Sequence, residues 1–335
     1  MLKDKLHRIA WSAEKAIDRY KSRRTDRRII EPYLGYATPE HLVVRGRVLT
    51  ALRRNKPKPD QSRWTNFKQM FALFLTSEVS NVEVRARDVD ARSNEEGYFT
   101  ILLPRDGKQG WVDVEVHLPN AEVSAICPVM VASEAATFAV ISDIDDTVLQ
   151  TGAYSLVRNL WTSLTGNVNT RQVFPDAVTF MRAMSESGRN PIYYVSSSPW
   201  NLHHFLKTIF AKANLVSGPK FLRDLGLSKT KFITGSHGDH KGSSIDTLLA
   251  ANPGLRYVLV GDTGQHDAFV YRDAIERHPG RIAAVVLREP GPGPDAESKA
   301  AMAEIEATGV ALFHGTQFDD FIGPLKSRLG VIPSG

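Results

Sequence analysis

From Ile29 to about Ser133, apolar and polar residues alternate with a period of two, most plainly in Trp111-Val112-Asp113-Val114-Glu115-Val116-His117-Leu118, where the valines and Leu118 share one face. Similar runs occur at Leu42 to Leu49, Val82 to Ala86 and Tyr98 to Leu103, separated by Gly and Asn or by the polar stretch Asn55 to Arg63. The pattern predicts half-buried strands assembled as a small β-sandwich. One segment breaks it: Trp64, Phe67, Met70, Phe71, Phe74 and Leu75 fall at helical spacing. That stripe has two readings, a helix covering an open end of the sandwich or an aromatic patch facing lipid.

From Ala136 onward, short continuous apolar runs alternate with helical patterns. The runs are Thr137 to Ser142, Ile192 to Val195, Tyr257 to Val260, Ala283 to Leu287 and Val310 to Phe313; the helices include Asp176 to Ser187, Trp200 to Ala213 and Asp267 to Arg277. Strands buried on both faces read as unbroken apolar runs, so this half is expected to be α/β, a doubly wound parallel sheet of Rossmann type. Ligands in such sheets bind outside the carboxyl ends of the strands, which directs attention to the residues just after each run. The expected division is 1–27, 28–133 and 134–330.

Composition adds one feature to this division. Residues 1–28 hold ten Lys and Arg against four Asp and Glu, whereas the whole chain of 335 residues carries a formal charge of only +5. Within that segment Leu2, Leu6, Ile9, Ala13, Ala16, Ile17 and Tyr20 recur at helical spacing, making a basic amphipathic helix. Such a helix can lie on an anionic membrane surface or dock on the body of the protein, and both readings stay open. Charged residues Lys3, Asp4, Lys5 and Arg8 stand where a secretory signal needs an apolar core, and Cys127 is the sole cysteine, so a cytoplasmic protein is expected, peripheral to a membrane only if the helix takes the first of these readings. A basic stretch confined to one end, without a zinc finger or aromatic platform, gives no reason to expect nucleic-acid binding.

The first strand of the second half ends in Asp143-Ile144-Asp145-Asp146-Thr147, three carboxylates crowded at a sheet edge. An acidic turn or helix cap would account for such a run alone. A divalent cation would relieve the repulsion, and oxygen ligands of this kind suit Mg2+. Other strand ends favour the second account. Ser196-Ser197-Ser198-Pro199 offers hydroxyls ahead of a helix N-terminus, where phosphate oxygens can be bound, and Ser196 and Ser197 are the candidate contacts. Gly261-Asp262-Thr263-Gly264-Gln265-His266-Asp267 adds two more carboxylates at the same edge, and Lys241 supplies a positive charge that could offset a phosphoryl group. His203, His204, His237 and His240 receive no role, because acids already furnish a hard-ion site.

The order D-x-D-x-T, Ser, Lys and G-D-x-x-x-x-D resembles the haloacid dehalogenase superfamily. Asp143-Ile144-Asp145-Asp146-Thr147, Tyr194-Val195-Ser196-Ser197-Ser198-Pro199-Trp200 and Gly261-Asp262-Thr263-Gly264 are similar, more narrowly, to the actin-patch-associated phosphatidate phosphatases, relatives of the lipins. The resemblance covers about residues 135–325. It implies a haloacid dehalogenase-like fold with a small cap in Gln150 to Pro175, and a phosphatase that converts phosphatidate to diacylglycerol. Asp143 would be the nucleophile and become an aspartyl-phosphate, Asp145 the acid and base, and Thr147 a residue that orients the loop. Mg2+ would be held by the Asp143 carboxylate, the Asp145 carbonyl and Asp262, with Ser196 and Lys241 on the remaining phosphate oxygens. Asp267 would either contact the metal through water or position Lys241.

Three alternatives remain open from the sequence: a phosphatase of soluble phosphomonoesters, a catalytically silent lipid- or phosphate-binding module, and a phosphate-storing receiver domain. The retention of Asp143 and Asp145 speaks against the second, and the position of the motif on the first strand of the sheet speaks against the third.

Overall fold

A computed structural model describes residues 28–50, 79–150, 173–223, 237–264, 266–291 and 293–331. The basic segment 1–27, the stripe from Trp64 to Leu75 and most of the insertion from Gln150 to Pro175 lie outside the described residues.

The first half forms seven strands: β1 (Arg28–Ala37), β2 (His41–Thr50), β3 (Glu83–Ala86), β4 (Val89–Arg92), β5 (Tyr98–Pro104), β6 (Gly110–Leu118) and β7 (Val123–Val131). In β6 the period of two is literal, with Val112, Val114, Val116 and Leu118 buried and Trp111, Asp113 and Glu115 exposed. All seven strands belong to one sheet in the order β4-β3-β6-β7-β1-β2-β5. The expected two-sheet sandwich is therefore corrected to a single sheet that curls until its edges, β4 and β5, approach each other around a shared core of Val44, Val84, Ile101, Val114 and Cys127. Alternation reports only that one face is buried; it does not distinguish a facing sheet from the same sheet rolled over.

The second half is built on a six-stranded parallel sheet of β8 (Ala139–Asp143), β9 (Ile192–Pro199), β10 (Lys220–Arg223), β11 (Tyr257–Asp262), β12 (Ile282–Arg288) and β13 (Ala311–Gly315). Their order is β10-β9-β8-β11-β12-β13, so the chain winds outward from β8 in one direction and then, from β11, in the other. Helices α1 (Pro175–Ser185), α2 (His203–Lys212) and α6 (Ile322–Arg328) share a core with one face of the sheet. On the other face lie α3 (His237–Ala251), α4 (Asp267–Arg277) and α5 (Ala296–Ala307). Strand β10, at the edge, had no counterpart among the expected elements, being four residues long and begun by a buried lysine, Lys220.

The reversal of strand order falls between β8 and β11, which pair from Tyr257↔Ala139 to Val260↔Ser142. In open parallel sheets such a reversal of strand order is where the ligand crevice forms, and Asp143 and Asp262 end the two strands that flank it.

Candidate active site

Strand β8 delivers Asp143 into the crevice, and the chain then turns sharply. Asp146 adopts a left-handed conformation, φ 55°, which Asp tolerates better than most residues. The turn closes with Asp146 N–H donating to the Leu149 carbonyl at 2.8 Å, and Val148 and Leu149 N–H groups donating to Ile144. This folds Thr147 back so that its Oγ1 donates to Asp143 Oδ2 at 3.1 Å. Strand β11 delivers Asp262, and Gly261 just before it is required by crowding, since a Cβ there would collide with the Asp267 carboxylate and the Tyr271 hydroxyl.

Asp143, Asp262 and Asp267, all buried, bring carboxylate oxygens within 4.8 Å of one another. Lys241, on α3, lies with Nζ 2.6 Å from Asp143 Oδ1 and 2.5 Å from Asp267 Oδ1. Asp267 also accepts from the Asp262 N–H at 3.1 Å, and Asp262 Oδ1 accepts from Gly264 N–H at 2.6 Å. Three carboxyl groups share one ammonium in a buried space, so the acids outnumber the cation by two. Burial pushes the Asp143 carboxyl well above the usual carboxylate range; Lys241 opposes that shift, while Asp267 and Asp145 add to it. Asp262 is raised for the same reasons, by burial first and then by Asp267 and Asp143. Burial would lower Lys241, yet Asp143, Asp267 and Asp262 overcome it and hold the ammonium charged.

These residues fit a divalent cation. Asp262 Oδ2 is buried and has no hydrogen-bond partner among the described residues, while Asp143 Oδ1 is met by the Lys241 ammonium. A buried carboxylate oxygen left without a donor is costly, and a hard dication accepting oxygen ligands would use it and offset the excess of acids over the one lysine.

Asp145, whose charge reaches Asp143, is held by two serines. Its Oδ2 accepts from Ser196 Oγ at 2.8 Å and from Ser198 Oγ at 2.9 Å. Ser196 Oγ in turn accepts from the Ser198 N–H at 2.9 Å, so the irregular end of β9, a serine turn within the strand, is braced on itself. Of the residues singled out from the sequence, the structure thus links Asp143, Asp262, Asp267, Lys241 and Thr147 in one set of contacts and Asp145 with Ser196 in another, with Ser197 half-buried beside them. Lys241 is engaged by Asp143 and Asp267, one of the two roles expected for Asp267, and Ser196 by Asp145. Ser198 joins the site although only its neighbours were singled out. Among the histidines, His203 and His204 lie against Glu31 at 4.0 and 3.8 Å rather than around a metal.

Residues 138–289 match the family model described as the catalytic domain of phosphatidate phosphatase APP1. The match covers the parallel sheet from β8 to β12 with the aspartates, serines and lysine of the site, and by that similarity alone the segment is APP1-like. Over 148 residues, 44% of the chain, it is 28% identical to the Saccharomyces cerevisiae protein named phosphatidate phosphatase APP1. An uncharacterised protein of Schizosaccharomyces pombe is 29% identical over 152 residues, 45% of the chain. The chain spans 25% of the length of each of these relatives. Among solved structures, a Thermotoga maritima protein assigned as a β-phosphoglucomutase aligns over 57% of this chain and 99% of its own, at 12% identity and a TM-score of 0.36, a likeness too loose to inform either fold or chemistry.

The APP1-like domain holds one further residue that the motifs did not reveal. Arg288, buried at the end of β12 and paired in register with Asp262, donates from Nε to the Thr147 carbonyl at 2.9 Å and from Nη1 to the Thr316 carbonyl at 2.8 Å. Its Nη2 donates to Asp176 Oδ2 at 2.8 Å, and its guanidinium lies 4.2 Å and 4.1 Å from the centres of the Phe174 and Phe318 rings. It ties the motif turn to the start of α1, just after the insertion. The signal was present: a charged residue closing the otherwise apolar run Ile282 to Leu287, at the strand end where ligands and their supports gather.

Proposed function

We propose that this chain is a Mg2+-dependent phosphatidate phosphatase with a haloacid dehalogenase-like, doubly wound catalytic domain, hydrolysing a lipid phosphomonoester through an aspartyl-phosphate on Asp143. The observation that carries the chemistry is the buried cluster of Asp143, Asp262 and Asp267 on one lysine, facing Asp145 on its serine turn. The lipid substrate is supported by the likeness to APP1.

Asp143 would attack phosphorus through a carboxylate oxygen as the ester P–O bond breaks. Thr147 holds its second oxygen and so aims the first. Asp145, half-buried and therefore reachable, would give its proton to the departing glycerol oxygen, producing diacylglycerol. The same carboxylate would then take a proton from water as the water oxygen attacks phosphorus and the Asp143–phosphorus bond breaks, releasing phosphate. Mg2+, held by Asp143 and Asp262 with Asp267 nearby, would lower the repulsion between carboxylate and phosphate. Lys241 neutralises Asp143 and Asp267 and is placed to follow charge onto the phosphoryl group.

No described helix is long and apolar enough to cross a membrane. Contact with the lipid would be peripheral, from a cytoplasmic protein, and the basic segment 1–28 is the candidate for an anionic surface.

The test is phosphate release from phosphatidate in mixed micelles, with Mg2+ or EDTA, for wild type and Asp143→Asn, against a soluble aryl phosphate. Preference for phosphatidate, dependent on metal and lost by about 10³-fold or more in the variant, is expected for a removed nucleophile. Turnover of the aryl ester alone would keep the chemistry and remove the lipid assignment. No turnover of either would favour a binding module.

A further inference from the structure

The β-rich half touches the catalytic half at a particular place. The serine turn runs directly from Ser198 through Pro199 into a 3-10 turn, Trp200–Leu202, and then into α2. Trp200 stacks on Tyr33 of β1, with ring centres 4.7 Å apart and planes inclined by 14°. Asn201 Oδ1 accepts from Arg47 Nη1, on β2, at 2.7 Å. Arg47 is buried and fixed in turn: its Nε donates to the Glu96 carbonyl at 2.8 Å, and its guanidinium lies 4.4 Å from the centre of the Tyr98 ring. One step further along β2, Arg45 donates to the Lys220 carbonyl on the edge strand β10 at 3.2 Å. Strand β10 pairs with β9 through Leu222↔Ser196, so both ends of the serine turn are held from the same side.

We propose that Arg47 and Tyr33 are positioning residues for the phosphatase site. Through Asn201 and Trp200 they fix the turn whose Ser196 and Ser198 hydroxyls hold the Asp145 carboxylate. The β-rich half is then part of the catalytic apparatus, which is a role nothing in the APP1-like segment by itself assigns. The physical ground is that Ser196 to Pro199 close β9 at an irregularity in its pairing with β10, between Leu222↔Ser196 and Arg223↔Pro199, and run into a 3-10 turn without a side-chain cap, so the Arg47 and Tyr33 contacts hold a stretch whose own pairing is interrupted. An error of about 1 Å in the placement of a catalytic group can cost on the order of 100-fold in rate, so a modest loosening at the seam should be visible in turnover.

This inference rests on the phosphatase reading, and two measurements keep the failures apart. Amide hydrogen exchange of the segment Ser196 to Asn201 reads the rigidity of the turn whether or not the protein turns over phosphatidate. Steady-state kinetics then read its consequence. In Arg47→Met and Asn201→Ala, exchange over that segment is expected to rise about tenfold and kcat to fall by a similar factor, with KM and the melting temperature nearly unchanged for Asn201→Ala. The double variant should be no slower than the worse single variant, because both remove one linkage. Arg47→Lys, which keeps a donor, should recover part of kcat. Asn201→Ala, at a half-buried position, keeps the test sound if Arg47→Met fails to fold. Unchanged exchange in Asn201→Ala, or raised exchange with unchanged kcat in an active protein, would overturn the proposal. An inactive wild type would remove the phosphatase reading, and exchange alone would then decide whether the seam fixes the turn.

Discussion

The crevice beside Asp143 and the seam between the two halves are both buried and both charged, yet they treat charge in opposite ways. At the crevice, carboxylates are concentrated around a single lysine, and Asp262 Oδ2 has no donor among the described residues. At the seam, cations are spread over carbonyl oxygens and aromatic faces. Arg45 donates to the Leu34 and Lys220 carbonyls and lies 4.6 Å from the Phe221 ring centre, and the Lys220 ammonium lies 4.8 Å from that of Phe210. Burial lowers Lys220 to about 8 and His203 to about 4, whereas at the crevice it raises the acids. The seam is soft enough to do without a counterion; the crevice retains a deficit that a bound cation would fill. The difference separates a packed interface from a candidate site better than burial or net charge does.

The contrast is tested most strongly by removing one lysine from each place. Lys241→Met leaves three buried carboxylates without their cation and should destabilise the protein by about 3–5 kcal/mol at neutral pH in denaturant unfolding. The same change at Lys220 removes a buried ammonium that no carboxylate of the described residues meets. It should be neutral or stabilising by about 1–3 kcal/mol. Equal losses in the two variants would erase the distinction.

Acid should attack the seam before the crevice. His203 is neutral in the fold and its pKa, about 4, lies below the unfolded value of 6.5, because burial outweighs the nearby Glu31. Its contribution is therefore complete above pH 6.5 and is lost as pH falls toward 4, by up to about 3 kcal/mol from a shift of this size. His203→Gln should flatten the stability profile in that window. At the crevice the sign is reversed, since Asp143 is raised: without metal, its contribution is full below the ordinary carboxylate range and fades as pH rises through the elevated value. Mg2+ at about 100 times its dissociation constant should then add roughly 2.7 kcal/mol at neutral pH, seen as a higher melting temperature, and Asp262→Asn should abolish that gain. A stabilisation by Mg2+ that survives in Asp262→Asn would place the ion elsewhere.

Much of the catalytic half was legible because it depends on short-range rules. Continuous apolar runs marked the parallel strands, and the residues following them, Asp143, Ser196 and Asp262, were the ones the fold brings to a common edge. What remained hidden were pairings across long stretches of chain. Arg288 reaches Thr147 across 141 positions and Arg47 reaches Asn201 across 154, and neither contact leaves a periodicity or a motif. The contact of Ser196 with Asp145 was hidden for a related reason. Residue type says which partners are possible, and only geometry says which one is taken.

The chain by itself determined the longer strands of each half, though not β1, β4, β7 or β10, and which strand ends carry acids that a parallel sheet collects at one edge, since these follow from periodicity and from the chemistry of single side chains. Tertiary structure decided that the β-rich half is one rolled sheet and that Asp145 faces two serines while Asp267 faces a lysine. It also placed Arg47 and Tyr33 against the catalytic turn. Such pairings follow from packing between distant segments, where burial removes water as a competing partner and makes the remaining contacts specific.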